Sequence, residues 1–277
     1  MQSPRSPHDP PWTSGRVSER AWCQLCPNPS PMTLDGTNTW VLTEPDARRS
    51  MVVDPGPLDE RHLQAVLQHV ESIGSRVALT LLTHHHADHA ESAARFAELS
   101  AAPVRAIGRG HDDLADGDHL SVDGLDLLVV STPGHTADST SFLLAREQLL
   151  LTGDTILGRG STVVAHPDGE LAAYLESLER LEAMTGSGVV TSLAPGHGAT
   201  VAEAAQVVRG YQRHRMQRLE EVRNVVATAP AHNVNEIADA VVRQVYADVP
   251  HDVWPAARLS VLAQLEYLGV RASGRDE

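Results

Sequence analysis

The feature that most restricts this chain is the string Thr83-His84-His85-His86-Ala87-Asp88-His89, which stands where one backbone pattern stops and another begins. Before it, 77–82 is a short apolar run that reads as a buried strand. After it, 88–99 carries Ala90, Ala93, Ala94, Phe96, Ala97 and Leu99 at helical spacing. His84 and His86 are two positions apart, so in extended backbone they point to one side and His85 points to the other. Asp88 and His89 open the helix and point back over the strand end. A fold that accepts this string gathers imidazoles and a carboxylate at a sheet edge. That donor set suits zinc, with iron or manganese as alternatives.

One string cannot close a site alone, and three downstream residues offer themselves, each just after a predicted strand. They are His135 in Thr132-Pro133-Gly134-His135-Thr136, Asp154 in Thr152-Gly153-Asp154-Thr155, and His197 in Pro195-Gly196-His197-Gly198. A glycine beside each lets the backbone turn sharply and come close. Loops at strand ends on a rigid sheet are where α/β proteins place their chemistry.

The rest of the chain agrees with an α/β fold. Strands are expected at 39–42, 51–53, 77–82, 119–122, 125–131, 140–145, 148–152 and 189–193, with a hairpin turn at 145–148. Helices are expected at 58–73, 88–99 and 170–184. From about residue 200 the chain reads as helix, at 202–228, 233–246 and 254–268, punctuated by Pro230, Pro250 and Pro255. The expected division is a mobile Pro-rich tail at 1–16, a catalytic domain at 17–210 and a small helical domain at 211–277. The 277 residues suffice for a substantial core. No stretch approaches the ~20 apolar residues of a membrane span, and the polar opening gives no reason to expect a secretory leader.

Charge limits the partners. The net charge is −14, and every one of the 22 basic residues is Arg. A broad electrostatic grip on nucleic acid is therefore not expected, and lysine-based Schiff-base or P-loop chemistry is excluded. Arg209, Arg213, Arg215, Arg218 and Arg223 form a run that reads as a solvated helix face, with RNA contact as the alternative. The two cysteines, Cys23 and Cys26, cannot build a disulfide framework, which fits a reducing cytoplasm.

The set His84-x-His86-x-Asp88-His89, His135, Asp154 and His197 resembles the metallo-β-lactamase superfamily over residues 17–210. Three further stretches resemble the group that contains a mitochondrial lactamase-like endoribonuclease and bacterial hydrolases with a C-terminal winged-helix-like domain. They are Asn28-Pro29-Ser30-Pro31-Met32-Thr33-Leu34-Asp35-Gly36-Thr37-Asn38-Thr39-Trp40, Gly153-Asp154-Thr155-Ile156-Leu157-Gly158 and Tyr211-Gln212-Arg213-His214-Arg215. The tail after Leu268 is short, so a β wing is expected to be reduced or absent. The resemblance implies a four-layer αββα sandwich with a metal pair at one edge of the sheets. Carried over, His84, His86 and His135 hold one metal and Asp88, His89 and His197 the other, with Asp154 between them. His at position 86, where diiron relatives carry Glu, favours two zinc ions. Only 42 residues lie between Asp154 and His197, too few for the domain that RNA-processing nucleases of the superfamily insert there.

That resemblance implies hydrolysis by a metal-bridging hydroxide, with Asp88 orienting it and passing a proton to the leaving group. A dizinc centre with two carboxylates and a hydroxide keeps a charge of about +1, which favours a small anionic substrate. The bond expected to break is an ester, thioester, lactone or amide. The second reading is a single-strand-selective endoribonuclease using the same site. A third is a regulator that binds DNA through its C-terminal helices. Asp54, in Val52-Val53-Asp54-Pro55-Gly56, reads equally as a strand-ending turn and as a support for the ligand loop. Asp138 and Ser139 invite the same two readings. His166 is expected to be structural or substrate-facing, not a ligand. The natural substrate, the native metals and the oligomeric state are not written in the sequence.

Overall fold

The computed structural model describes residues 11–108, 114–228 and 233–270. Its strands form two sheets. The first holds β1 (Gly15–Arg16), β2 (Ala21–Leu25), β3 (Asn38–Leu42), β4 (Arg49–Val53), β5 (Arg76–Leu81) and β6 (Val104–Arg105), side by side in that order. The second holds β7 (His119–Val122), β8 (Leu125–Ser131), β9 (Thr140–Leu144), β10 (Leu149–Gly153) and β11 (Ser192–Pro195), likewise in sequence. Most neighbours are antiparallel, but β4–β5, β5–β6 and β10–β11 are parallel. The hairpin expected at 145–148 joins β9 to β10, with Gln148 in the left-handed region at φ 50°.

The central strands are apolar on both faces because both faces are covered. In β3, Trp40 and Leu42 point into the core between the sheets, while Val41 points out under α1 (Glu60–Ser72) and α3 (Ala93–Ser100). In β9 and β10, Phe142, Leu144, Leu149 and Leu151 face inward. Leu143 and Leu150 face out, against α4 (Leu171–Gly186) and the first half of α5 (Ala204–Thr228). The result is helix, sheet, sheet, helix, the four-layer sandwich that the resemblance implied.

The second half of α5 leaves the sandwich. Val222 and Val225 pack with Ala238, Val241 and Val242 of α6 (Val234–Val245) and Val261 and Leu265 of α7 (Trp254–Tyr267). The expected boundary at 210/211 thus falls inside one continuous helix. Among the described residues, this C-terminal region has no strand.

Some local expectations need correction. The helix expected over 88–99 is divided into α2 (Ala87–Ala90) and α3. The Ser92 hydroxyl donates to the Gly56 carbonyl at 2.8 Å, and the Ser92 N–H does so at 3.2 Å, so the chain bends toward β4's exit instead of continuing one helix. The strand expected at 189–193 lies at Ser192–Pro195, where it pairs with β10. Residues 1–10 of the expected tail lie outside the described residues. The rest of it is held: Trp12 packs against the inter-sheet core and donates its indole N–H to Asn38 Oδ1 at 2.8 Å, and Gly15–Arg16 pairs with β2.

Asn38 joins the sheets at one corner. Its side-chain amide donates to the carbonyls of Pro195 at 2.9 Å and Gly198 at 2.8 Å, and its backbone N–H donates to Gly196 O at 2.8 Å. Thr37 and His197 form an isolated β-bridge beside it. Among the described residues, no helix is long and apolar enough to cross a membrane.

Candidate metal centre

Strand exits at one edge of the two sheets bring the sequence candidates together. His84 and His86 follow the end of β5, and Asp88 and His89 lie on α2. His135 follows β8, Asp154 follows β10 and His197 follows β11. His84, His86 and His135 offer nitrogens within 4.8 Å of one another, and so do the side chains of Asp88, His89 and His197. His86 Nδ1 lies 3.1 Å from His84 Nε2 and 3.0 Å from His135 Nε2. His197 Nε2 lies 3.2 Å from His89 Nε2 and 3.1 Å from Asp88 Oδ2. Asp154 sits between the clusters. Its Oδ2 is 3.8 Å from His135 Nε2 and 3.4 Å from His197 Nε2, and its Oδ1 is 3.5 Å from His89 Nε2.

Glycine makes this approach feasible. A Cβ on Gly196 would stand 2.6 Å from both Asp154 Oδ1 and His89 Cε1. At Gly134, with φ at 134°, a Cβ would collide with the backbone of Tyr174.

The hydrogen bonds behind the rings settle which nitrogens face inward. A carbonyl only accepts, so His135 Nδ1–H donates to Val163 O at 2.6 Å and His197 Nδ1–H donates to Gly36 O at 3.1 Å. His89 Nδ1–H donates to Asp54 Oδ2 at 2.8 Å. Thr83 gives its one hydroxyl proton to Asp54 Oδ2 at 2.7 Å, so it accepts from His84 Nδ1–H at 3.1 Å. Nε2 of His84, His89, His135 and His197 is thereby the nitrogen each ring turns to the cluster, a lone pair whenever the imidazole is neutral. Ring nitrogens and carboxylate oxygens about 3 Å apart need positive charge between them, a proton or a metal ion. In addition, Asp154 Oδ1 is buried without a hydrogen-bond partner. Imidazole lone pairs and carboxylate oxygens converging in this way fit a pair of divalent metals.

The electrostatics show the same demand for positive charge. Burial, followed by the charges of neighbouring histidines, pushes His84 well below the ordinary imidazole value, and burial lowers His135. Burial and His135 bring His86 down to about 4. Burial would lower His89 and His197 too, but Asp154 outweighs it. Helped by Asp54, it holds His89 well above the usual value, and helped by Asp88 it raises His197 to about 9. Burial works to raise the carboxyls, yet His197 and His89 hold Asp88 at about 2 and Asp154 well below the carboxylate range. Protons on His89 and His197 stand where metal charge would otherwise serve, so metal binding displaces protons.

The remaining sequence candidates take defined places. Asp54 is 1% exposed and accepts from Thr83 N–H at 2.7 Å as well as from Thr83 Oγ1 and His89. Ser139 braces the turn after His135, accepting the Thr136 N–H at 3.1 Å. Asp138 instead meets His85, whose Nδ1 lies 2.9 Å from Asp138 Oδ1. His85, His86 and Asp168 form a further group of metal-type atoms beside the main cluster. His166 pairs with Glu266 of α7 at 3.0 Å, away from the cluster. Cys23 and Cys26 are buried free thiols, and burial pushes both up, Cys26 to about 12.

The arginine run does not lie on one solvated face, although Arg209, Arg213 and Arg223 are exposed. Arg215 is buried, Arg218 pairs with Glu221 at 2.8 Å, and Arg223 pairs with Glu220 at 3.3 Å. The apolar stripe of α5, Val208, Tyr211, Leu219 and Val222, passes through position 215 at helical spacing. That signal was present in the sequence, and an arginine on the buried stripe is what a reading for charge alone overlooks.

Comparison with known proteins agrees. The family model described as the metallo-beta-lactamase superfamily matches residues 32–119 and 107–197, and one for the beta-lactamase associated winged helix domain matches 238–269. A beta-lactamase-like protein 2 homolog of Caenorhabditis elegans is 32% identical, over 87% of this chain and 81% of its own length. An atrochrysone carboxyl ACP thioesterase of Aspergillus chevalieri is 29% identical, over 86% of this chain and 77% of its own length. The crystal structure of a metallo-beta-lactamase family protein from Thermus thermophilus superposes with TM-score 0.73 over 92% of this chain and 94% of that one, at 23% identity. A helix–sheet–sheet–helix sandwich, a His/Asp cluster at one edge of its sheets and these matches have one reading: the chain belongs to the metallo-β-lactamase superfamily of metal-dependent hydrolases and carries a β-lactamase-associated winged helix domain at its C-terminal end.

Proposed function

We propose that this protein is a binuclear zinc hydrolase acting on an acyl bond, a thioester before an ester, lactone or amide, in a small anionic substrate. His84, His86 and His135 would hold one ion, Asp88, His89 and His197 the other, and Asp154 would serve both. The observation that carries the reading is Asp154. It is a buried carboxylate with an orphaned oxygen, flanked on both sides by imidazoles whose outer nitrogens are committed to other acceptors. When bound, two such ions supply Lewis acidity and an activated water at neutral pH.

The chain's own residues divide the remaining tasks. Asp88 is the more open acid, 30% exposed against 10% for Asp154, so it faces the cleft and can take a proton from the attacking water and return it to the leaving group. Asp54, Val163 and Gly36 hold the rings in one tautomer and orientation. The similarity to a fungal acyl-carrier thioesterase supports the choice of a thioester. Burial of Arg215 and the ion pairs of Arg218 and Arg223 reduce the positive surface that α5 offers to RNA, which weighs against the nuclease alternative.

The test is a panel of thioesters, esters, lactones, lactams and unstructured RNA, given to zinc-, iron- and manganese-loaded protein and to Asp154→Asn. Thioester turnover by the zinc form and its loss in the variant are expected. Asp154-dependent cleavage of RNA alone would replace this reading with the nuclease.

A further inference from the structure

Where the sandwich meets the C-terminal helices, the structure holds a cavity of about 270 Å³, large enough for several heavy atoms and not just one water. Met32 borders it on one side, Thr162 and Val163 on another, and His214, Arg215 and Arg218 of α5 on a third. Both loops lead to the metal cluster, since Val163 O accepts from His135 and Gly36, a few residues past Met32, accepts from His197. A single stretch of backbone therefore separates the cavity from His135. The rest of the wall is mostly aliphatic, from the segment after α6 and from α7.

Two side chains on this wall, Arg215 and His214, each keep a buried nitrogen without a partner. Arg215 is only 5% exposed. It donates to Thr162 O and lies over the Tyr174 ring at 4.9 Å, but its Nε–H has no partner. Among the described residues no acidic side chain pairs with it. A guanidinium stays charged when buried, and buried charges are normally paired. His214 Nδ1 is also buried without a partner. Arg218 is partly satisfied, donating to Glu221 and to Val245 O at 2.7 Å. The wall is thus an aliphatic slot with surplus positive charge at one end.

We propose that this cavity receives an apolar arm of the substrate, and that Arg215, assisted by His214 and Arg218, binds an anionic group at the end of that arm, a carboxylate or a phosphate. Treating the arm as part of a substrate rests on the hydrolase reading above; the anion site itself does not. Arg215 is then a specificity residue, one backbone segment removed from the reacting centre.

The test uses calorimetric titration of the full chain, metal-free and zinc-loaded, with hexanoate, monohexyl phosphate and hexanol. At least one anion binds both forms and hexanol does not, and the tighter anion identifies the group. Arg215→Gln weakens that binding about tenfold to a hundredfold. Ala256→Phe, which narrows the slot without touching a charge, weakens it too and decides the matter if the Arg215 variant does not fold. In turnover, wild type prefers a hemisuccinyl thioester over a butyryl one, and Arg215→Gln loses that preference. Anion binding that needs zinc, or that both variants leave unchanged, overturns the proposal. Thioester turnover with no anion binding also overturns it and spares the hydrolase reading. Arg215-dependent binding without thioester turnover does the reverse.

Discussion

Asp54→Asn changes one atom and should disable both halves of the metal centre. Asp54 has φ at 53°, in the left-handed region that Asn tolerates as well as Asp, so the substitution adds no backbone strain. The carboxylate accepts from Thr83 N–H at 2.7 Å, Thr83 Oγ1 at 2.7 Å and His89 Nδ1 at 2.8 Å. Asparagine supplies one acceptor oxygen and one NH2. The backbone N–H of Thr83 cannot reverse its role, so the oxygen must stay there and the NH2 must face Thr83 Oγ1 and His89. Both of those bonds then reverse. His89 moves its proton from Nδ1 to Nε2, which points into the cluster. Thr83 turns its hydroxyl proton toward His84 Nδ1 and drives that ring the same way.

Each reversal removes a lone pair from one proposed metal set. Loss of such a supporting group costs about 10–100-fold in metal affinity, or about 1.4–2.8 kcal/mol per ion. Each lost charge-assisted bond is worth about 1.5–3 kcal/mol to the fold, though bonds sharing Asp54 will not add fully. The assay is competition for zinc against a chromophoric chelator, paired with nitrogen-15 chemical shifts that report the tautomers of His84 and His89. Two zinc ions bound with wild-type affinity, or unchanged tautomers, would refute the reasoning.

Other outcomes follow from the same geometry. His84→Ala and His197→Ala should each abolish turnover and lower the metal content while far-ultraviolet circular dichroism stays native; near-normal turnover by either would falsify the assignment. Chelation should lower the thermal midpoint, because a site held at a hundred times its Kd contributes about 2.7 kcal/mol; an unmoved midpoint contradicts a resident metal. His62 donates from Nε2 to Thr39 Oγ1 and keeps Nδ1 buried without a partner, and burial lowers it to about 4 against an ordinary 6.5. The unfolded chain then binds the extra proton first, so this contribution of about 3 kcal/mol is intact above pH 6.5 and fades as pH falls toward 4. His62→Gln should flatten that part of the stability profile, and an identical slope in both proteins would count against it. Gly134→Ala should cost at least about 2 kcal/mol through the clash with Tyr174, measured by denaturant titration; a smaller loss would mean that the turn before His135 yields easily.

The gathering of the cluster residues was legible because His84, His86, His135, Asp154 and His197 follow strand ends and Asp88 and His89 open the helix behind one of them, and such ends can be read from local pattern. Relations across the sheet were not. Asp54 could be read as a turn or as a support until β4 and β5 were known to run parallel, which sets it beside Thr83. Asp138 was open to the same two readings, and its contact with His85 depends on where two distant loops meet. The break between α2 and α3 comes from Gly56, which no helical periodicity around Ser92 reveals.

The Asn38 corner gives the N-terminal motif a mechanical meaning. One amide spans the mouth of the sandwich and spends both of its N–H groups on the turn that carries His197, while its oxygen is occupied by Trp12. The gap between the layers there is accordingly clamped like the jaw of a vice, with the Asn38 side chain as its screw and the Asn38–Gly196 backbone bond and the Thr37–His197 bridge as its guides. Shortening or lengthening that residue should shift the His197 turn, and with it one proposed ligand set, relative to the opposite layer.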